Sequence, residues 1–252
     1  MTNKYFEING NGLNIRCKLY SDSPASIRRI ILFLTGFAGH KDTKNAEKLA
    51  EKTVSKHRDA ALITFNWPCH GDDVRKKLFL TDCDAYLEAV IAYINTRYKP
   101  EKLFACCVSF GGYMVLKRVH EKGNPFSKIV LRAPAVNMYD SLTHAIVKPD
   151  ELEALERGKD VQVGFDRKIN IGRAFLDELK ACDVQSFDYT PFMDDILIVH
   201  GTKDEIIPFE IARAFADNNL IELAVVENAD HRFQDPLKTD EACKRTMEFF
   251  GF

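Results

Sequence analysis

Positions 30–34 read Ile-Ile-Leu-Phe-Leu, without a polar residue among them. Such a run is short for a helix, and a strand that is apolar at every position is covered on both faces. Similar runs recur at 60–65, 103–108, 129–132 and 196–199, with a shorter one at 222–226. Between them the period changes. Ala46, Leu49, Ala50 and Val54 lie on one face of a predicted helix over 43–56. Ala85, Leu87, Val90, Ile91 and Ile94 do the same over 82–98, and Pro100 follows its end. Further helices are predicted at 110–121, 208–217 and 237–250. Ahead of this alternation, 5–8 and 13–20 read as two strands around Asn9-Gly10-Asn11-Gly12, a hairpin signal because Asn and Gly tolerate positive φ. Strands alternating with helices from residue 30 onward predict an α/β fold with a mostly parallel central sheet and helices on both faces.

The alternation lapses between 135 and 195, too long a stretch for one connection in a compact domain. Helix-like pieces at 150–157 and 171–181 suggest an inserted helical cap over 137–190, above the C-terminal edge of the sheet. The core is then 1–136 together with 191–252. Phe165, Phe175, Phe187 and Tyr189 read as the core of that cap.

The candidate chemistry sits at the strand ends, where a parallel sheet places ligand sites. The strand at 103–108 runs straight into Ser109-Phe110-Gly111-Gly112 and a helix. A serine at the apex of a strand–turn–helix is the nucleophile elbow, and the tight turn demands small residues two before and two after it. Here those residues are Cys107 and Gly111. A serine hydroxyl needs a base to take its proton and a third group to orient that base. Asp204 follows the strand at 196–199, and His231 follows the last strand. The chain order Ser, Asp, His is the one associated with this elbow. Asp230 and Asp140 are alternative acids. His40 reads as a residue of the pocket wall.

In these motifs the chain resembles the α/β-hydrolase fold family over nearly its whole length. Gly36-Phe37-Ala38-Gly39-His40-Lys41, His70-Gly71-Asp72, Ser109-Phe110-Gly111-Gly112 and the stretch from His200 to Pro208 look like the capped cinnamoyl and feruloyl esterases and the monoacylglycerol-lipase-like hydrolases. The resemblance implies Ser109 as nucleophile, Asp204 as orienting acid and His231 as general base. It also implies an oxyanion hole from the backbone N–H groups of Phe37 and Phe110, and loop hydrogen-bonding roles for His70 and His200. The chain departs from the family at Thr35, where histidine is usual, and at Cys107, where glycine is usual.

The implied activity is cleavage of a small-molecule carboxylic ester through an acyl-enzyme, with no cofactor and no metal. A thioesterase or short-peptide hydrolase would use the same three residues. A ligand-binding relative without useful turnover is the reading that the two departures favour. Cys106 and Cys107 beside the elbow admit a cysteine nucleophile, but the apex itself holds serine.

Composition narrows the partners. There are 35 basic and 37 acidic side chains, a formal net charge of −2, so the basic excess that a nucleic acid would require is missing. No run of about 18 apolar residues predicts a membrane span, and residues 1–10 hold no apolar stretch of the kind found in a secretory leader. The seven cysteines are irregularly spaced without a C-x-x-C pair, as expected of reduced thiols in a cytoplasmic monomer or homodimer.

Overall fold

The computed structural model describes residues 1–164 and 167–252. Phe165 lies outside the described residues. The strands are β1 (Thr2–Gly10), β2 (Leu13–Ser21), β3 (Arg29–Leu34), β4 (Ala60–Phe65), β5 (Lys102–Val108), β6 (Lys128–Arg132), β7 (Val161–Val163), β8 (Ile169–Ile171), β9 (Ile196–Gly201) and β10 (Glu222–Val226). Eight of them form one sheet in the order β1-β2-β4-β3-β5-β6-β9-β10. The pairs β1–β2 and β2–β4 are antiparallel, and the others are parallel.

The apolar runs account for the layering. Ile30, Leu32 and Leu34 of β3 and Leu103, Ala105 and Cys107 of β5 enter one hydrophobic cluster. Ile31, Phe33, Phe104 and Cys106, which alternate with them, enter a second on the other face. Side chains of a strand alternate between faces, so each unbroken run fills two cores at once. The second face is covered by α1 (Lys44–Thr53) and α8 (Pro236–Phe250). The first face is covered by α2 (Leu80–Arg97), α3 (Phe110–Lys122) and α7 (Phe209–Asn219). The ends are signalled locally. Thr43 caps α1 by accepting from the Asn45 N–H, and Asp235 caps α8, with Pro236 in its first turn.

Between β6 and β9 lie α4 (Met138–Ser141), α5 (Pro149–Glu156), β7, β8 and α6 (Arg173–Ala181). Besides the helices expected of the insertion, it holds two short strands. Val161–Val163 and Ile169–Ile171 pair as an antiparallel ribbon. The helix expected over 171–181 therefore starts only at Arg173, after an extended Gly172. Three-residue strands are too short to show a period of two, which is why the helical pattern absorbed Ile171.

The aromatics of the insertion face the body of the protein. Phe175 is buried and stacks on Phe37, with ring centroids 6.5 Å apart. Tyr189 packs on Phe215 of α7, and Phe187 stacks on His120 of α3. Phe175, Leu176, Leu179, Val163 and Ile171 share the cluster that fills the first face of the sheet. Backbone ties add to this. The Leu78 N–H donates to the Asn170 carbonyl at 2.9 Å, and the Leu80 N–H donates to the Glu178 carboxylate at 2.8 Å. Among the described residues, no helix is long and apolar enough to cross a membrane.

Candidate active site

Ser109 is the residue between the end of β5 and the first turn of α3. Its backbone is at φ 49°, ψ −113°, a conformation that a residue with a side chain adopts at a cost of about 1–3 kcal/mol. Neighbouring bonds hold it there. The Ser109 N–H donates to the Arg132 carbonyl at 3.0 Å, and the Ser109 carbonyl accepts from Gly112 at 2.8 Å and Ala135 at 3.2 Å. The turn tolerates no side chain two residues on. A Cβ at Gly111 would stand 2.7 Å from the Leu34 carbonyl oxygen. Two residues before, Cys107 is fully buried in the hydrophobic cluster and behaves as a small apolar residue.

Asp204 follows β9, and His231 follows β10. The two loops touch because Gly201 has no side chain: a Cβ there would stand 2.2 Å from the Ala229 carbonyl oxygen. The Lys203 N–H donates to that same carbonyl at 3.0 Å. One Asp204 oxygen accepts from the backbone N–H groups of Ile206 and Ile207, at 2.9 and 2.7 Å. The other lies 2.8 Å from His231 Nδ1 and 3.3 Å from His200 Nε2. A carboxylate facing Nδ1 can only accept, so Nδ1 carries the proton and Nε2 keeps its lone pair. His231 Nε2 is 3.1 Å from Ser109 Oγ, positioned to accept its proton. The structure thus brings Ser109, His231 and Asp204 into one chain of hydrogen bonds. All three are buried at the base of a cavity's wall or just behind it.

The alternative acids stand elsewhere. Asp230 accepts from the Gln234 N–H within its own loop, and Asp140 is an exposed residue of α4. Burial pushes Cys106 up to about 12 and Cys107 well above the ordinary thiol range, so both are neutral and unreactive.

Phe37 lies in the loop after β3, opposite the first turn of α3. Its ring meets that of Phe110 edge-on at 6.1 Å. Neither the Phe37 nor the Phe110 backbone N–H has a hydrogen-bond acceptor among the described residues. Thr35 supports this loop through its carbonyl, which accepts from Trp67 Nε1 at 2.9 Å. Its hydroxyl is buried without a partner among the described residues. The Lys41 N–H donates to Asn66 Oδ1 at 2.7 Å, and Lys41 Nζ pairs with Asp72 at 2.8 Å, so the loop after β3 is fastened to the loop after β4. Burial acts to raise Asp72, but Lys41 and Arg16 outweigh it and hold the carboxyl at about 2.

His70 and His200 are loop residues. His70 Nδ1 lies 2.7 Å from the Pro68 carbonyl and His200 Nε2 lies 2.9 Å from that of Ile207. Burial lowers both, His70 to about 4. His40 does line the cavity. Its Nδ1 accepts from the Asp42 N–H, and burial, helped by Arg167, lowers its pKa.

The cavity has a volume of about 360 Å³ and is bordered by Ser109, His231, the loop from Thr35 to His40, and Ile146 and Arg167 of the insertion. Ile146, Ile206 and Arg132 are wall residues that sequence reasoning does not single out. For Arg132 a signal exists: it is the one charged residue in the run 129–132. Among the described residues, no group of three or more His, Cys, Asp or Glu side chains is arranged to hold a metal ion.

Residues 69–251 match the prolyl oligopeptidase family (Peptidase_S9). No curated protein matches the sequence significantly. Among solved structures, Est1E from Butyrivibrio proteoclasticus has a TM-score of 0.74 at 18% identity, covering 98% of this chain and 99% of that one. Alpha/beta hydrolase domain-containing protein 10 from mouse gives 0.70 at 16%, with 98% of both chains covered. The esterase domain of a Rhodothermus marinus protein gives 0.69 at 16%, covering 99% of this chain and 98% of that one. At such identities the likeness is one of fold, and the fold is that of the α/β hydrolases.

Proposed function

The chain belongs to the prolyl oligopeptidase family, and on that premise we propose that it is a serine hydrolase acting on a carboxylic ester. The observation that carries the reading is the unbroken hydrogen-bond chain from Ser109 Oγ through His231 to Asp204, at 3.1 and 2.8 Å. His231 Nε2 takes the Ser109 proton as Oγ attacks the ester carbonyl. The new C–O bond makes a tetrahedral intermediate whose oxyanion the Phe37 and Phe110 N–H groups stabilise. When the intermediate collapses, the C–O bond to the alcohol breaks and His231 returns the proton to the leaving oxygen. Water, deprotonated by His231, then attacks the acyl-enzyme and releases the acid and free Ser109. Asp204 stays ionised and fixes the imidazole tautomer. Residues 137–190 act as a cap, contributing Ile146 and Arg167 to the wall above Ser109.

The family match favours a second reading, hydrolysis of short peptides by the same residues. The wall argues for esters instead. Among the described residues it holds no carboxylate to receive the ammonium group of a peptide that binds by its N-terminus.

The test is intact-mass labelling with a fluorophosphonate, on the wild type and on Ser109→Ala. One adduct on the wild type and none on the variant is expected, with ester hydrolysis falling at least about 10⁴-fold in the variant. An unlabelled wild-type protein that is folded would sink the reading and favour a ligand-binding relative. Matched esters and amides of one acyl group then separate the two hydrolase readings: turnover of the amide at the rate of the ester favours the peptidase.

A further inference from the structure

Arg132 ends β6, next to the elbow strand, where it pairs in register with Val108. The side chain is 6% exposed and lines the cavity that Ser109 and His231 also border. The guanidinium has no ion pair and no hydrogen bond among the described residues, and Nε is completely buried without a partner. Its Cζ lies over the Phe233 ring, 5.2 Å from the centroid. A cation–π contact of this kind supplies no hydrogen-bond acceptor to the guanidinium N–H donors. The thiols nearby, Cys106 and Cys243, are both raised by burial and carry no charge to balance it.

A buried charge without a counterion is costly. Nothing in the fold requires that cost, since Ser109 is held by the Arg132 backbone carbonyl, which any residue supplies. The described surroundings suit an anion. Arg132 and Arg167 line the cavity, and among the described residues no Asp or Glu does. Thr43 and Asn45, at the N-terminus of α1, line it as well, and the positive end of that helix lies on the same face of the sheet as Arg132.

We infer that the cavity binds an oxyanion at Arg132, and that the substrate is an ester carrying a carboxylate or a phosphate beside its reacting carbonyl. Both groups match the fork of a guanidinium. The anion lies on the α1 side of Ser109. That it belongs to a substrate rests on the ester-hydrolase reading; that the cavity binds an anion does not.

The experiment is calorimetry on Ser109→Ala protein with monomethyl glutarate, the neutral dimethyl glutarate, and methyl 4-phosphonobutanoate, each repeated in Arg132→Met and Arg132→Lys backgrounds. At least one anionic ester is expected to bind tenfold or more tighter than the neutral one. Carboxylate or phosphonate preference then tells which anion fits. The Met variant should reduce the preference to less than threefold, and the Lys variant should retain part of it. Met removes an unpaired charge at similar volume, so the variant should fold, and the Lys variant is a second reading of the same site. Equal binding of charged and neutral esters, or a preference untouched in Arg132→Met, would overturn the inference. Fluorophosphonate labelling separates the two proposals. Labelled Ser109 without anion preference leaves the hydrolase standing and removes the anion site. Anion preference without labelling keeps the site and removes the hydrolase.

Discussion

The loops at the C-terminal edge of the sheet and the insertion that covers them are built on different principles. Six non-glycine residues with φ between 44° and 65° lie in the edge loops: Ala38, Cys69, Ser109, Ala133, Asn228 and Phe233. In the insertion, the described residues with positive φ are Gly158 and Gly164, both glycines. Strained backbone survives only where its surroundings over-determine it, and it gathers where groups must be aimed. At the edge, backbone hydrogen bonds and close approaches do this, as at Ser109 and between Gly201 and Ala229. The insertion is held mainly by apolar side chains that join the core beneath it. The edge therefore fixes the hydrogen-bonded geometry of Ser109, His231 and Asp204, and the insertion joins it by packing.

The largest test of that contrast is Phe175→Ala. Phe175 is fully buried and is the insertion's contact with Phe37. Removing a buried phenyl ring costs about 3–5 kcal/mol. Because the insertion shares the core of the sheet, thermal unfolding should remain one transition at a lower Tm. Two separate transitions, with the insertion melting first, would break the comparison and make residues 137–190 an independent unit.

Acid should act on the edge rather than on the insertion. Burial lowers His70 to about 4, well below the ordinary imidazole range near 6.5, with its Pro68 hydrogen bond only partly opposing. A base with a depressed folded pKa contributes stability that is present above about 6.5 and is lost as pH falls toward about 4, because the unfolded chain binds the proton first. The full span corresponds to about 3 kcal/mol. The His70 ring lies parallel to Phe110 and edge-on to Phe37, so its protonation disturbs the loops that flank Ser109. Melts of wild type and His70→Phe from pH 7 to pH 4.5 would measure this. The variant starts lower, since Pro68 loses its donor, but its acid slope should be shallower. Parallel slopes would remove His70 from the account.

These differences also explain what was legible in the sequence. Unbroken apolar runs such as Ile30 to Leu34 mark central strands directly, and a parallel sheet sends the residues after each run to one edge. Ser109, Asp204 and His231 could therefore be grouped before any coordinates, as could the loop roles of His70 and His200. The ribbon of β7 and β8 was not legible, because two three-residue strands carry no period and are specified by their packing. The direction of the insertion's aromatics was hidden for the same reason: Phe175 and Tyr189 meet partners that lie far away in the chain. Arg132 was visible as a charge at the end of an apolar run. Its isolation depends on which groups fail to reach it, and that is a property of the assembled fold.

A smaller stability change tests the edge loops at their tightest point. In Gly201→Ala the added methyl group meets the Ala229 carbonyl oxygen, backbone that cannot swing aside. Overpacking of this kind costs about 1–3 kcal/mol. The functional loss should be larger than the stability loss suggests, because Asp204 and His231 sit on the two loops pushed apart, and a displacement near 1 Å can cost about 100-fold in rate. Asp160→Asn in the insertion is the control. It breaks the partly exposed Lys77–Asp160 pair, worth at most about 1 kcal/mol, and leaves the edge loops alone. If kcat/KM falls in Gly201→Ala but holds in Asp160→Asn, alignment at the sheet edge is what catalysis depends on. Equal losses in both would mean that the insertion sets the geometry of the site as strongly as the strand ends do.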